Sequence, residues 1–326
     1  MDRIKLLVVG ILMFAAFQAF VGFPVYSSDT EENLSLSGYH IAVCAIGTEH
    51  TWDATCFKNI VARLKELGAE VTAYDAERSD IKMKTGLESL INMNPDGLVI
   101  MLGALDVVKP AIEEAKSRGI RVVTCDSLPG EVNVSSNNFV AEAQVASRLA
   151  QDLGGKGKIG VFFRPGTAVA ELRYRIFKAV IAQFPDIKVV VEEPYVLPGT
   201  VPDAYTKVKA WIKAHPDIKA IWTVFDIPLI GAAHALMEAG LNKQVGLYGF
   251  DGDPEFIRLM KEGAIFGATI AQNPALIGKT AAERLAKLIH GESVPAFVFI
   301  PAFLVTPENV EEIIKMFPDK YGDLLQ

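Results

Sequence analysis

The chain is short of cysteine, of clustered positive charge and of long apolar runs, and each shortage excludes something. Its three cysteines, Cys44, Cys56 and Cys125, are an odd number and a poor basis for a disulfide-stapled fold. Cys44 and Cys125 fall within apolar runs that read as buried strands, where a free thiol packs as a small hydrophobe. Cys56 stays open: it pairs with Cys44 only if the fold brings the two together. Lysine and arginine number 32 against 39 acidic residues, a net charge of −7, and they are nowhere clustered. That balance argues against nucleic acid and against anionic membrane surfaces as partners. The five histidines (His40, His50, His215, His234 and His290) are scattered without metal-ligand spacing. No Gly-x-Ser-x-Gly elbow supplies a serine nucleophile. The glycines of residues 155–160 match a dinucleotide fingerprint in spacing, but they precede a strand rather than open a helix after one. Neither a catalytic set nor a cofactor nor a metal is expected.

One apolar run is long. It extends from Leu6 to about Val21, follows Arg3 and Lys5, and ends in Gly22, Pro24, Ser27 and Ser28. This is the pattern of a secretory signal over residues 1–27. It addresses the chain to the periplasm or the cell exterior. The alternative is an uncleaved membrane anchor, for which the run is short against the roughly 20 residues of a span. Residues 28–38 are polar and read as a flexible leader.

From Tyr39 onward, apolar strand-like runs alternate with helical patterns, and the 50% hydrophobic content suits a large core. Predicted strands are 40–46, 69–74, 97–102, 121–125, 158–163, 188–193, 220–224, 245–250 and 264–270. The earlier ones are continuously apolar, as strands covered on both faces are. Helical stretches at 52–67, 107–118 and 229–239 each end at a glycine: Gly68, Gly119 and Gly240. The pattern also repeats. Asn94-Pro95-Asp96 and His215-Pro216-Asp217 each precede a strand, and a later strand in each half runs into Asp126 or Asp251. The reading is two doubly wound, Rossmann-like α/β domains with parallel sheets, over about 39–136 and 137–271.

Ligands of such sheets sit beyond the carboxyl ends of the strands. The polar and aromatic residues there are Glu49, His50 and Trp52, then Asp126, the segment Arg164 to Arg173, Phe225 and Asp226, Asp251, and Gln272. An aspartate at a strand end is commonly a cap or a turn former. With no nucleophile or metal set beside them, Asp126, Asp226 and Asp251 read instead as acceptors for ligand hydroxyls, since one carboxylate can take two neighbouring O–H groups. Trp52, Phe163 and Phe225 offer aromatic faces for the C–H patches of a ring.

The motifs Pro95-Asp96-Gly97-Leu98-Val99, Asp126-Ser127, Ser136-Asn137-Asn138, Gly249-Phe250-Asp251-Gly252 and Thr269-Ile270-Ala271-Gln272-Asn273-Pro274 occur in a familiar order. In order and spacing the chain resembles the type I periplasmic sugar-binding proteins, ribose-binding protein and its relatives, along nearly its whole mature length. The resemblance implies a periplasmic binding protein type I fold with a hinge of three crossings near Asn137, Gln272 and Phe303. One lobe then spans 39–136 plus 273–303, the other 137–272 plus 304–326. It implies a monomer that captures a sugar or polyol by hinge closure and hands it to the membrane permease of an ABC transporter. The alternatives are a ligand-presenting sensor for a membrane receptor, or a binder of an amine-containing solute. By position it adds Ser127 and Glu171, both where the family carries arginine, and the hinge-side Asn138, while Phe225 stands for an asparagine. These replacements predict a cleft that has lost two cations and gained a carboxylate, one suited to a neutral or cationic guest.

Overall fold

In the computed structural model, which describes residues 34–325, the chain builds two six-stranded sheets. The first half alternates β1 (His40–Ala45), α1 (Thr51–Glu66), β2 (Glu70–Asp75), α2 (Asp80–Asn92), β3 (Gly97–Met101), α3 (Leu105–Ser117), β4 (Arg121–Cys125) and β5 (Val132–Ser136). The second runs through α4 (Asn138–Asp152), β6 (Lys156–Phe162), α5 (Ala168–Ile181), β7 (Asp186–Glu193), α6 (Thr200–Ala214), β8 (Ile218–Thr223) and α7 (Ile227–Glu238). It continues through β9 (Gly246–Tyr248), α8 (Pro254–Lys261) and β10 (Gly267–Ala271). Then follow α9 (Pro274–Ile289), β11 (Phe297–Ile300), β12 (Phe303–Val305), α10 (Val310–Met316) and α11 (Pro318–Tyr321).

The first sheet has the order β11-β5-β4-β3-β1-β2 and is wholly parallel. The second has the order β12-β10-β9-β8-β6-β7, with β12 alone antiparallel. In each sheet the chain starts in the interior and winds outward both ways, the arrangement that creates a switch point at the carboxyl ends. The backbone passes from one sheet to the other three times: after β5, after β10, and between β11 and β12.

Local chemistry explains the elements. Every residue of β3 (GLVIM) is buried, because helices cover both faces of its sheet: α1 and α9 pack together on one side, α2 and α3 on the other. Helix α1 buries Trp52, Cys56, Ile60 and Leu64, a stripe at four-residue spacing. Side-chain caps start α2 (Ser79), α4 (Asn137), α5 (Thr167) and α9 (Asn273), each accepting from a backbone N–H in the first turn. The second core is aromatic: Trp222 stacks on Phe177 and Trp211 on Phe162, at 4.0 and 4.2 Å between ring centres. All three cysteines are buried free thiols, which resolves the question of Cys56. The predicted signal and most of the leader lie outside the described residues. No helix among the described residues is long and apolar enough to cross a membrane.

Candidate ligand site between the two sheets

The carboxyl ends of both sheets border one cavity of about 160 Å³, well above the ~10–15 Å³ that a single water requires. The first sheet contributes His50, Trp52 and Asp53 after β1, Arg78 and Asp80 after β2, Leu102 after β3 and Asp126 after β4. The second contributes Arg164 and Arg173 after β6, Tyr195 after β7, Phe225 after β8 and Asp251 after β9.

At the centre is Arg173, buried on α5. Its Nε donates to Asn138 Oδ1 at 2.8 Å, and one terminal nitrogen donates to the Val224 carbonyl at 2.8 Å. The guanidinium lies 3.4 Å from Asp251 and 3.8 Å from Asp126, and its carbon sits 3.6 Å above the centre of the Phe250 ring. One cation thereby ties a carboxylate of the first sheet to one of the second. Both aspartates have left-handed backbone, φ 45° at Asp126 and 107° at Asp251, a conformation that side-chain-bearing residues rarely adopt and that clusters at functional sites. Asp126 also accepts from the Asn138 amide at 3.3 Å, and Asp251 from the Gln272 amide at 2.7 Å. Burial raises both carboxyls, while Arg173 pulls them back; Asp251 is left at about 6.

A second cluster lines the first lobe. Arg78 is ion-paired with Asp53, lies 3.3 Å from Glu49 and is within hydrogen-bond distance, 2.9 Å, of His50 Nδ1. Burial, and then the Arg78 charge, lowers His50 to about 4, so the ring is neutral at pH 7. Because guanidinium only donates, Nδ1 accepts and Nε2 carries the proton. Aromatic walls complete the cavity. Phe225 stacks on His50 across the cleft at 5.9 Å and meets Tyr195 edge-on at 4.8 Å. The buried indole N–H of Trp52 has no acceptor among the described residues. At the mouth the lobes touch through backbone: Ala104 pairs with Thr167, and the Leu105 N–H donates to the Gly166 carbonyl at 2.8 Å.

Of the residues singled out in the sequence, His50, Trp52, Asp126, Phe225 and Asp251 line this cavity, and so do Arg164 and Arg173, the two ends of the segment marked after β6. The others stand behind or beside it. Glu49 pairs with Arg78 and His50. The Ser127 hydroxyl donates to the Leu102 carbonyl. Asn138 links Asp126 to Arg173, and Gln272 joins Asp251 to Ser136, whose hydroxyl donates to it at 2.8 Å. Asp226 is wholly buried, accepting from the Thr269 hydroxyl and the Asp253 N–H. Phe163 stacks on Tyr174 instead of facing the cavity. Glu171 turns away and accepts from the Gly166 N–H at 3.3 Å.

The expectation of a cation-poor cleft is overturned. Arg173, two residues past Glu171, brings a guanidinium to its centre, and Arg78 and Arg164 line its wall. Asp53, Asp80, Asp126 and Asp251 line the same cavity, so its formal charge is close to balanced and the predicted excess of unpaired carboxylates is not found. Arg78 was not among the residues expected at the site. Arg78 follows β2, which ends at Asp75, so the rule that ligands sit beyond strand ends pointed to it as it did to the others.

Two doubly wound lobes facing one another across a polar, aromatic-walled cavity define a bilobal solute-binding protein. The chain belongs to the family described as periplasmic binding protein domain, which matches residues 41–293. Members of that family bind solutes outside the cytoplasm. The chain is 30% identical over 257 residues to the ribose import binding protein RbsB of Bacillus subtilis, covering 76% of this chain and 81% of that one. It is 28% identical over 253 residues to a xylitol-binding protein of Mycolicibacterium smegmatis, covering 74% and 70%. An ABC transporter solute binding protein from Agrobacterium vitis, solved with bound allitol, superposes with a TM-score of 0.83 at 36% identity, covering 86% of this chain and 100% of that one.

Proposed function

We propose that the chain captures a small, uncharged polyhydroxylated solute, a sugar or sugar alcohol, and presents it to the permease of an ABC importer. The observation that carries this reading is the Asp126–Arg173–Asp251 bridge at the meeting of the two lobes. It offers acceptors and a donor within a few ångströms, prearranged and partly satisfied by Asn138 and Gln272. Hydroxyls, which both donate and accept, match such a set; a lone charged group leaves part of it unpaired. Phe225, Tyr195 and Trp52 supply apolar faces for C–H edges, and the unpartnered Trp52 N–H suits a ligand oxygen. The similarity to proteins named for ribose and xylitol, and to one solved with allitol, supports the same chemical class.

The mechanism is hinge closure about the crossings near Asn137, Gln272 and Phe303. The solute touches both lobes and shifts the population toward the form in which Leu105 meets Gly166 and His50 meets Phe225. No covalent bond changes, and the protein acts after export behind its N-terminal signal. Calorimetry on residues 28–326 with allitol, xylitol, ribitol, D-ribose, D-allose and putrescine tests this. Saturable 1:1 binding of at least one polyol or sugar, with putrescine inert, is expected. Binding of putrescine alone, or of uronates alone, refutes it.

A further inference from the structure

Helix α11, close to the end of the described residues, reaches back to the site. Lys320, on α11, turns its ammonium end inward and donates to two main-chain carbonyls, that of Asp251 at 2.6 Å and that of Gln272 at 3.1 Å. The adjacent Tyr321 hydroxyl donates to the Gly252 carbonyl at 2.7 Å. Gly252 permits that approach, because a Cβ there would stand 2.6 Å from the phenolic oxygen. Two consecutive C-terminal residues thus fasten the turn that carries Asp251 and, beside it, the second crossing between the lobes.

Asp251 has reason to be fastened. Its φ of 107° lies where glycine is at home, and such backbone persists only when its surroundings over-determine it. Its N–H is taken by the Ile270 carbonyl at 3.1 Å, its carboxylate by the Gln272 amide, and its carbonyl by Lys320. The charged groups around the ammonium are Asp226, Asp251 and Asp253. Arg173 lies 3.4 Å from the Asp251 carboxylate, and His50, which borders the same small pocket, is neutral. Burial outweighs the three carboxylates and lowers Lys320 to about 8.

Resting on the solute class proposed above, we infer that Lys320 is a positioning residue for ligand capture: by clasping the carbonyls of Asp251 and Gln272 together it holds the Asp251 carboxylate in binding geometry. The ammonium is a stronger donor to carbonyls than the neutral amine. The clasp is therefore intact at neutral pH and loosens as the pH rises through about 8.

Calorimetry with allitol, xylitol and D-ribose on the mature wild type, Lys320→Met and Lys320→Arg, from pH 6.5 to 9.5, tests the inference. At pH 7, Lys320→Met should bind about tenfold or more weakly, while Lys320→Arg, which stays charged, stays within a few fold. The wild type should lose affinity above about pH 8, and neither variant should show that alkaline limb. Equal affinity of Lys320→Met at pH 7, or one alkaline limb shared by all three, overturns the inference. A ligand-free arm is hydrogen–deuterium exchange. Peptides within residues 246–272 should exchange faster in Lys320→Met than in wild type, with α1 and α2 unchanged. Unchanged exchange there overturns the inference by itself. If wild type binds none of the five sugars and polyols named above, the solute-class reading fails, and the exchange arm still decides the role of Lys320.

Discussion

Removing the central guanidinium while keeping its bulk, by Arg173→Met, should cost stability in proportion to pH. Two parts of the loss can be separated. The hydrogen bonds to Asn138 and Val224 are lost at every pH, about 1 kcal/mol each. The second part concerns the aspartates, which lose their shared cation and take up protons. Asp251 already sits near 6 in the folded protein. Protonating it at pH 7.5 forfeits 1.5 units of ionisation, about 2 kcal/mol at 1.36 kcal/mol per unit. At pH 5 the same group is protonated with or without Arg173, so that share of the deficit vanishes. Asp126 is raised in the same direction for the same reason and adds to the effect. The stability gap between wild type and Arg173→Met should therefore narrow by at least about 2 kcal/mol from pH 7.5 to pH 5, or roughly 4 °C or more in Tm for a chain of this size. Ligand affinity, measured by calorimetry at pH 7.5, should fall by about 30-fold or more, the usual loss when one member of a buried charge pair is truncated. Thermal melts of the two ligand-free proteins at both pH values decide the matter. A gap that stays constant or widens on acidification refutes the placement of Arg173 between two buried carboxylates.

Wild-type affinity should also weaken as the pH falls through about 6, where Asp251 protonates and ceases to be a two-sided acceptor; calorimetry in matched buffers checks this, and Asp251→Asn should lack the acid limb. Phe225→Ala removes the ring that stacks on His50 and meets Tyr195, and should raise Kd by about 5- to 100-fold in fluorescence titration while leaving the circular dichroism spectrum unchanged. Gly166→Ala puts a side chain at φ 125° without any steric contact, so its whole effect is backbone strain at the cleft mouth. It should weaken binding by about 1–2 kcal/mol and leave the scattering profile more open with ligand present.

Much of the scaffold could be read from residue order because strands buried on both faces are unbroken apolar runs. β3 and β4 show this: GLVIM and RVVTC need no partner information to be recognised. β5, β11 and β12 escaped for the opposite reason. VNVSS is half polar, FVFI is an edge strand with alternate residues exposed, and β12 has three residues. The site was legible where it depends on strand ends, as for Asp126 and Asp251, and illegible where it depends on helix phase. Glu171 and Arg173 are two positions apart on α5, about 200° around the axis, so a shift that hardly matters in a loop exchanged an inward cation for an outward carboxylate. Lys320 could not have been seen from its neighbours. It acts 69 residues from Asp251 in sequence, and only the third crossing brings it there.

The placement of β11 and β12 sets an order of assembly. The first sheet lacks an edge until residues 297–300 have been made, and the second until residues 303–305 have been made, although most of each was synthesised far earlier. A chain cut before residue 297 would leave each sheet one edge strand short and the two lobes joined by two crossings instead of three.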